Sequence, residues 1–220
     1  MAKQFISDKD ESVRMFKNDF LESLTKVHYL TPIVLFVPVV LYFLYKSIFV
    51  FELNFLILLG FFAIGVLAWT LTEYILHRFL FHYTPTSEFG KRLHFISHGV
   101  HHDYPNDSKR LVMAPTISIA LAFAFYYSYY YLLGPAYVAP FFAGYVAGYV
   151  FYDMTHYAIH HFNFKNKFWL DIKKHHMVHH YMDGDNGYGV SSKLWDHVFG
   201  TMFKKNKKSS DTTHNENTGI

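Results

Sequence analysis

The sequence predicts an all-α integral membrane protein, with four transmembrane helices in two hairpins and a cytoplasmic helical cap that holds a histidine-rich dimetal site. Composition is the first observation: 51% of the 220 residues are hydrophobic and 17% are charged, whereas soluble domains are roughly 25% charged. The second is that four apolar stretches approach the ~20 residues that a membrane-spanning helix needs. The third is that thirteen of the sixteen histidines lie between His77 and His180.

The N-terminal segment, residues 1–29, has the pattern of an amphipathic helix at the membrane interface. Charged residues alternate with apolar residues that recur at helical spacing, namely Val13, Phe16, Phe20, Leu21, Leu24 and Val27. Such a helix can lie on the membrane surface or pack on the cytoplasmic domain, and the sequence does not distinguish the two. We expect no removable signal peptide, because a basic start, a short apolar core and a small-residue cleavage site do not occur in that order.

The four spans cover about residues 30–50, 53–72, 111–133 and 135–152, and the short linkers 50–53 and 133–136 join them into two hairpins. Lys46 lies near the linker side, where a lysine can snorkel to the interface. The other basic residues beside the spans lie on the opposite side: Lys26, Arg78, Lys91, Arg92, Lys109, Arg110, Lys165, Lys167, Lys173 and Lys174. By the positive-inside rule that side is cytoplasmic. Small residues in "AGYVAGY" (143–149) predict close helix contact.

Charge and cysteine content narrow the class of protein further. The net charge of +3 is small and the basic residues are scattered, so we expect no nucleic-acid partner. The absence of cysteine excludes disulfides and thiolate metal sites, which leaves nitrogen and oxygen ligands for any metal. The segment 204–220 is a polar tail that we expect to be disordered.

The histidines form four clusters beside the second hairpin, at 77–82, 94–102, 156–161 and 175–180. In "HGVHH" (98–102) and "HMVHH" (176–180) the same H-x-x-H-H arrangement recurs, and adjacent histidines diverge by ~100° on a helix. One ion therefore cannot bind all three, whereas two ions can share them. His156 and His160, four residues apart, can chelate one ion. His77 and His82 lie ~140° apart on a helix, so we expect the helix to fray between them.

A single histidine is most often a surface or hydrogen-bonded side chain, which is the expectation for His28, His197 and His214. Thirteen in four clusters instead indicate a metal site, with a metal store, a transport site or a proton relay as alternatives. Transport would place ionisable groups at membrane depth, whereas these histidines lie beside the spans and not within them. A zinc hydrolase would need only three or four ligands, and the chain has no H-E-x-x-H. Because imidazole binds iron, copper, nickel and zinc alike, the spacing does not select the metal.

Three acidic residues lie near the clusters in sequence, namely Glu73, Asp153 and Asp196. We expect them to accept the outer N–H of metal-binding imidazoles and thereby to fix the tautomers. The alternative for each is an interfacial charge that lipid headgroups solvate.

Several segments resemble the fatty acid 2-hydroxylase branch of the fatty acid hydroxylase and sterol desaturase superfamily. They are "EYILHRFLFH" (73–82), "HFISHGVHHDYPND" (94–107), "RLVMAPT" (110–116), "YDMTHYAIHH" (152–161), "KKHHMVHH" (173–180) and "GYGVSSKLWDHVFGT" (187–201). The histidine clusters are specific for the superfamily, and the segments 110–116 and 187–201 narrow the resemblance to this branch. The resemblance runs from about Phe16 to Thr201, and it implies that residues 30–203 form a fatty acid hydroxylase domain.

The resemblance implies a non-haem, di-iron monooxygenase that uses O2 to hydroxylate C2 of a long-chain fatty acid or of a ceramide acyl chain. The implied ligands of two metal ions are His77, His82, His98, His101, His102, His156, His160, His176, His179 and His180. His94 and His161 match other histidines of the family and are expected around the ligands. His175 departs from the family, whose members have tyrosine there, so it is either a substitute supporting group or a surface residue.

The same resemblance implies the surroundings of the enzyme. Iron is expected in the active enzyme and zinc after purification. Two electrons per turnover would come from a separate carrier, such as cytochrome b5 or a ferredoxin, since we expect the chain to have no room for a fused cytochrome b5 domain. The membrane is the endoplasmic reticulum in a eukaryote or the inner membrane in a bacterium, with the site on the cytoplasmic face. The alternatives are an oxidase, desaturase or hydroxylase of sterols or carotenoids, and a non-catalytic metal-handling membrane protein.

Overall fold

The computed structural model describes residues 5–203, and every regular element among them is a helix. The predicted disordered tail, 204–220, lies outside the described residues. Three π-helical turns, Lys46–Val50, Leu76–Phe81 and Phe95–Gly99, adjoin the α-helices. The α-helices in chain order are α1 (Asp19–Ser23), α2 (Thr31–Tyr45), α3 (Phe55–Ile75), α4 (Glu88–His94), α5 (Val100–Asp103), α6 (Pro115–His161), α7 (Lys167–Tyr181) and α8 (Leu194–Phe199).

Three continuous helical stretches are long and apolar enough to cross a membrane, namely Thr31–Val50, Phe55–Phe81 and Pro115–His161. The third is interrupted at Gly134, whose φ of 72° and ψ of 169° lie in a region that only glycine adopts readily. Its two arms, residues 115–133 and 135–161, are antiparallel, because Phe125 lies 5.4 Å from Tyr145 between ring centroids. In a straight helix these two residues would be ~30 Å apart. The predicted second hairpin is therefore present as a break within one helix.

The arm 135–161 is the centre of the bundle, because it packs against both α3 and α2. Its Gly144 touches α3 so closely that an added Cβ would lie 2.0 Å from the carbonyl oxygen of Phe62, and a Cβ on Gly65 would lie 2.0 Å from that of Phe141. The small-residue contact predicted from "AGYVAGY" is thus confirmed. On the other side, Phe36 of α2 meets Tyr149 edge-to-face at 5.0 Å.

Both helices that lead to the histidines continue beyond the predicted membrane spans. The α3 stretch continues to Phe81 rather than ending at 72, and α6 continues to His161 rather than ending at 152. The third span, in contrast, begins at Pro115 and not at 111, since proline suits the first turn of a helix and cannot continue one. Leu111 and Val112 are consequently non-helical, and they are buried beside the histidines.

The predicted amphipathic helix of the N-terminal segment is limited to α1, so a helix over the whole of 13–27 is wrong. The carboxylate of Glu22 in α1 accepts the N–H groups of Met15 and Phe16 at 2.9 and 3.0 Å. These hydrogen bonds hold the residues that precede α1 against the helix. The segment packs on the loop between α5 and α6, where the N–H of Val27 donates to the carbonyl of Lys109 at 2.8 Å. Packing on the histidine-bearing layer was one of the two predicted placements.

Candidate metal centre

The structure brings all ten histidines predicted as metal ligands together, in two groups of five. Within each group the ligand nitrogens lie within 4.8 Å of one another. Eight of the ten side chains are buried, and His82 and His102 are half-buried. Group A comprises His77, His82, His98, His102 and His179, and group B comprises His101, His156, His160, His176 and His180.

The separations between nitrogens match a metal coordination sphere. Neighbouring Nε2 atoms in group A are 3.2 Å apart for His77 and His98 and 3.0 Å apart for His98 and His102. In group B the separation is 2.9 Å for His156 and His101. For metal–nitrogen bonds of ~2.0–2.1 Å, neighbouring nitrogens lie ~2.8–3.0 Å apart at 90° and ~3.3–3.4 Å apart at the tetrahedral angle. The separations lie in the first range or between the two ranges, and each group offers five donors, one more than a tetrahedral ion takes.

Each H-x-x-H-H segment contributes to both groups, as the divergence of adjacent histidines predicts. From 98–102, the residues His98 and His102 enter group A and His101 enters group B; from 176–180 the division is reversed, so that only His179 enters group A. The two groups are in contact, because the rings of His102 and His180 stack at 4.2 Å. This exchange joins the two groups of histidines into one continuous cluster.

The chain between His77 and His82 does not fray, contrary to the prediction. It forms a π-helical turn, in which the N–H of His82 donates to the carbonyl of His77 at 3.1 Å. The wider turn brings residues five apart onto one face, so the two Nε2 atoms are 3.2 Å apart. His98 lies on a second π-helical turn. Such turns often occur at functional sites.

Backbone carbonyls hold the outer nitrogens of three imidazoles, one in group B and two in group A. The Nδ1 atoms of His77, His156 and His179 lie 2.5, 3.0 and 2.7 Å from the carbonyl oxygens of Tyr188, Leu111 and Asn186, respectively. An Nδ1–H that donates to a carbonyl leaves the lone pair on Nε2, which points into its group. The three acceptors lie in non-helical segments.

The predicted role of the carboxylates is wrong in its detail, because they accept hydrogen bonds from those segments and not from the imidazoles of groups A and B. Glu73 accepts the N–H groups of Val190 and Ser191, both at 2.8 Å, and the hydroxyl of Ser191. Asp153 accepts the N–H of Met113 at 3.4 Å, next to Leu111 and Val112. A carboxylate satisfies several backbone donors at once, which an irregular buried segment requires.

Asp196 supports the same segment as Glu73 and has a partner of its own. It accepts the N–H groups of Tyr188 and Gly189, each at 2.9 Å. His175 lies 2.9 Å from the same carboxylate and is buried, so it is a supporting residue and not a surface one. His94 and His161 belong to neither group.

Burial lowers the pKa of the histidines of groups A and B that lie outside the membrane-spanning stretches. Burial lowers the pKa of His82 to about 3, with the nearby charge of His179 adding to the effect. Burial likewise lowers the pKa of His179 to about 4, although the carbonyl of Asn186 opposes it. Because metals bind the neutral imidazole, no proton has to be displaced. The donor type, spacing and protonation of both groups thus fit a pair of metal ions.

Two adjoining cavities reach the histidines. One of about 60 Å³ touches both groups through His98, His101 and His156. The second, of about 250 Å³, lies between the N-terminal segment and residues 96–117. Arg110 lines both, and sequence reasoning assigned it no role, although an arginine directly before an apolar stretch was a usable signal.

An apolar crevice inside the bundle lies next to the smaller cavity, and Met113 is a wall of both. Phe36 and Trp69 are among its other walls. Phe36 also lines a larger groove of about 450 Å³ between α2 and α6. Apolar side chains therefore continue from the groove between α2 and α6 to the walls of the cavity at the histidines.

Comparisons with known proteins agree with this geometry. The fatty acid hydroxylase family model matches residues 62–201. The chain is 43% identical over 195 residues to the ceramide very long chain fatty acid hydroxylase scs7 of Schizosaccharomyces pombe, and the match covers 86% of this chain and 55% of that protein. It is 41% identical to the dihydroceramide fatty acyl 2-hydroxylase FAH2 of Arabidopsis thaliana, with coverage of 87% and 81%.

A solved structure of full-length scs7p, of which only the hydroxylase domain is visible, has a TM-score of 0.80 and 42% identity to this chain. The similarity covers 86% of this chain and 71% of that one. The chain thus spans about half the length of the fission yeast relative and most of the plant one. The family match extends from within α3 past both groups of histidines. This chain therefore belongs to the fatty acid hydroxylase family.

Proposed function

We propose that this protein is a membrane-bound fatty acid 2-hydroxylase, which uses O2 to hydroxylate C2 of a long-chain fatty acid or of the acyl chain of a ceramide. The observation that carries the proposal is the position of the two groups, which line one small cavity beside an apolar crevice of the bundle. A metal store would need no such crevice. The relatives' names, which specify fatty acyl and ceramide hydroxylation, support the same substrate class.

Groups A and B would each hold one ion, iron in the working enzyme and zinc as a common substitute, since imidazole binds both well. When bound, the iron pair supplies the redox chemistry that divides O2 between the new hydroxyl and a water molecule, with two electrons and two protons consumed. The electrons come from a separate carrier, such as cytochrome b5 or a ferredoxin. The ten imidazoles are the metal-binding residues of this proposal, and the carbonyls of Leu111, Asn186 and Tyr188 orient three of them.

The height of the histidines explains why C2 is the carbon attacked. The stretch Phe55–Phe81 has 27 residues and is ~40 Å long, against a hydrocarbon core of ~30 Å. Its end therefore emerges on one side and carries His77 to just above the headgroup boundary. A lipid whose tail stays among Phe36 and Trp69 presents its polar end there. Mid-chain attack would draw methylenes out of hydrocarbon at ~0.8 kcal/mol each.

The proposed topology has four spans, with the arms of α6 as the last two and the histidines on the cytoplasmic face, at the endoplasmic reticulum or a bacterial inner membrane. Cysteines placed one at a time in the cysteine-free chain test it. A cysteine in the 133–136 linker should react with a membrane-impermeant reagent only from the non-cytoplasmic side, and one at Lys91 only from the cytoplasm. Reaction of the linker from the cytoplasm would contradict the topology.

The product tests the reaction itself. The iron-loaded protein, reconstituted with a reducing carrier and O2, should convert a long-chain fatty acid or a ceramide to the product hydroxylated at C2, located by mass spectrometry. Protein loaded with zinc alone is the control and should give no product, since zinc has no redox chemistry. A hydroxyl mainly at mid-chain or terminal carbons would refute the proposal, and turnover of sterols or carotenoids alone would place the chain in another branch of the superfamily.

A further inference from the structure

The larger of the two cavities beside the histidines has walls from two distant parts of the chain. Phe16 and Leu24 of the N-terminal segment form one side, and Val112 and Ile117 form the other. Arg110 lies where this cavity meets the smaller one. The cavity is thus largely apolar, with a cationic side chain close to the histidines.

The guanidinium of Arg110 is buried, with its side chain 3% exposed. Nη1 donates to Asp107 at 3.2 Å, and Nη2 donates to Glu22 at 2.9 Å and to Thr25 at 3.4 Å. The Nε atom is also buried but has no hydrogen-bond partner within residues 5–203. A buried N–H without an acceptor costs ~1–3 kcal/mol, so an acceptor supplied by a molecule in the cavities that Arg110 lines would be favoured.

The charges around Arg110 indicate what kind of acceptor fits. Burial would raise the pKa of Glu22, but the N–H groups of Phe16 and Met15, with Lys26 and Arg110, hold it at about 2. Glu22 is therefore ionised, and with Asp107 it balances the charges of Arg110 and Lys26, whose Nζ lies 3.1 Å from Glu22. A carboxylate is best bound by two parallel N–H groups of an uncompensated arginine. A neutral carbonyl needs only the one free donor.

We propose that this cavity is the head-group site of the enzyme, where Nε of Arg110 donates to the amide carbonyl oxygen of an N-acylated long-chain base. The inference rests on the proposed function. C2 is bonded to the carbonyl carbon, so fixing the oxygen fixes C2 beside the cavity walls that His98, His101 and His156 provide. The next residue, Leu111, accepts the Nδ1–H of His156, and one short segment therefore positions both the substrate carbonyl and a metal-binding imidazole.

Equilibrium binding to the metal-loaded protein without reductant tests the site in the absence of turnover. The probes are radiolabelled N-hexadecanoyl sphinganine and free hexadecanoic acid. The unmodified protein should bind the amide more tightly than the acid, and Arg110→Lys should weaken amide binding about tenfold and remove the preference. Arg92→Lys, the same change at an exposed arginine outside the cavity walls, is the matched control and should bind as the unmodified protein does.

Glu22→Gln separates substrate binding from a purely structural role, because it breaks the ion pair with Arg110 but leaves Nε in place. It should weaken amide binding less than Arg110→Lys does. Equal losses in the two variants would overturn the proposal, since Arg110 would then act only by holding the N-terminal segment. Unchanged amide binding in Arg110→Lys would overturn it as well.

If Arg110→Lys fails to bind metal or to fold, Thr116→Trp provides the test of the cavity. Thr116 is an exposed cavity residue away from the ion cluster, and a tryptophan there should obstruct the site and weaken amide binding; unchanged binding would refute the proposal. Amide binding that depends on Arg110, in a protein that forms no 2-hydroxy product, would support the site and refute the hydroxylase assignment. If the protein forms a 2-hydroxy product but its amide binding does not depend on Arg110, the hydroxylase assignment would be supported and the proposed site refuted.

Discussion

Replacing His101 by alanine should remove the ion of group B and abolish hydroxylation, whereas replacing the adjacent His102 should remove the ion of group A with the same loss. The reason is that the two neighbours belong to different groups. Loss of an outer partner typically weakens metal affinity ~10–100-fold, and loss of a direct ligand should exceed that range. The metal content of each variant should fall from two ions per chain toward one, measured by elemental analysis.

His161→Ala is the matched control, because His161 follows His160 directly but lies outside both groups. It should retain two ions and most of its activity. The spectra of iron in the His101→Ala and His102→Ala proteins should differ, since different ligand sets remain. Identical spectra, or two tightly held ions in either variant, would contradict the division into two groups.

Glu73→Ala should give the largest loss of stability among substitutions that leave all ten histidines in place. The change would leave the N–H groups of Val190 and Ser191 and the Ser191 hydroxyl without their buried acceptor, at ~1–3 kcal/mol for each donor. The segment 186–191 would move, and His77 and His179 would lose the carbonyls that orient them. Metal affinity, measured by competition with a chelator, should therefore fall with the thermal unfolding midpoint.

The exposed Glu88 gives the control, since its carboxylate pairs with Lys91, which is also exposed, at 2.8 Å on the surface. Such surface pairs contribute ~0–1 kcal/mol, so Glu88→Ala should barely change either measurement. Glu73→Gln keeps the shape and one acceptor oxygen, and it should lie between the two. An unfolding midpoint and metal affinity in Glu73→Ala equal to those of the unmodified protein would show that Glu73 does not hold the segment.

The histidine groups were predictable from the sequence because imidazole is a distinctive side chain and helical spacing fixes its direction. The divergence within 98–102 and 176–180 was enough to predict that the histidines of each segment divide between two sites, and the two groups show this division. The membrane-length helices were also predictable, since long apolar stretches with few charges are typical of membrane spans. The start of the third span was predicted less well, because Pro115 begins α6 four residues after the predicted position 111.

What the sequence did not reveal was the support of the site by the backbone. Every residue has a carbonyl, so no pattern distinguishes those of Leu111, Asn186 and Tyr188 as partners of imidazoles. The wide turn between His77 and His82 differs from an ordinary helix by one residue, and its sequence has no marker. The prediction for the N-terminal segment was wrong because its apolar spacing suits a helix. In the structure, Glu22 instead accepts the N–H groups of Met15 and Phe16 and pairs with Arg110, which is distant in sequence.

The break at Gly134 gives the last arm of α6 a fixed length between two anchors. Tyrosines surround the break, among them Tyr131 and Tyr137, which are exposed, and such rings favour the membrane interface. From Tyr137 to His156 the arm rises ~29 Å. Natural membranes range from ~27 Å to ~33 Å in hydrocarbon thickness. In the proposed topology the length of this arm fixes the height of the histidines above the Tyr137 interface. The thickness of the membrane in which the protein resides would then determine how far a lipid must rise to reach them. Membrane thickness would thereby contribute to the substrate selectivity of the enzyme.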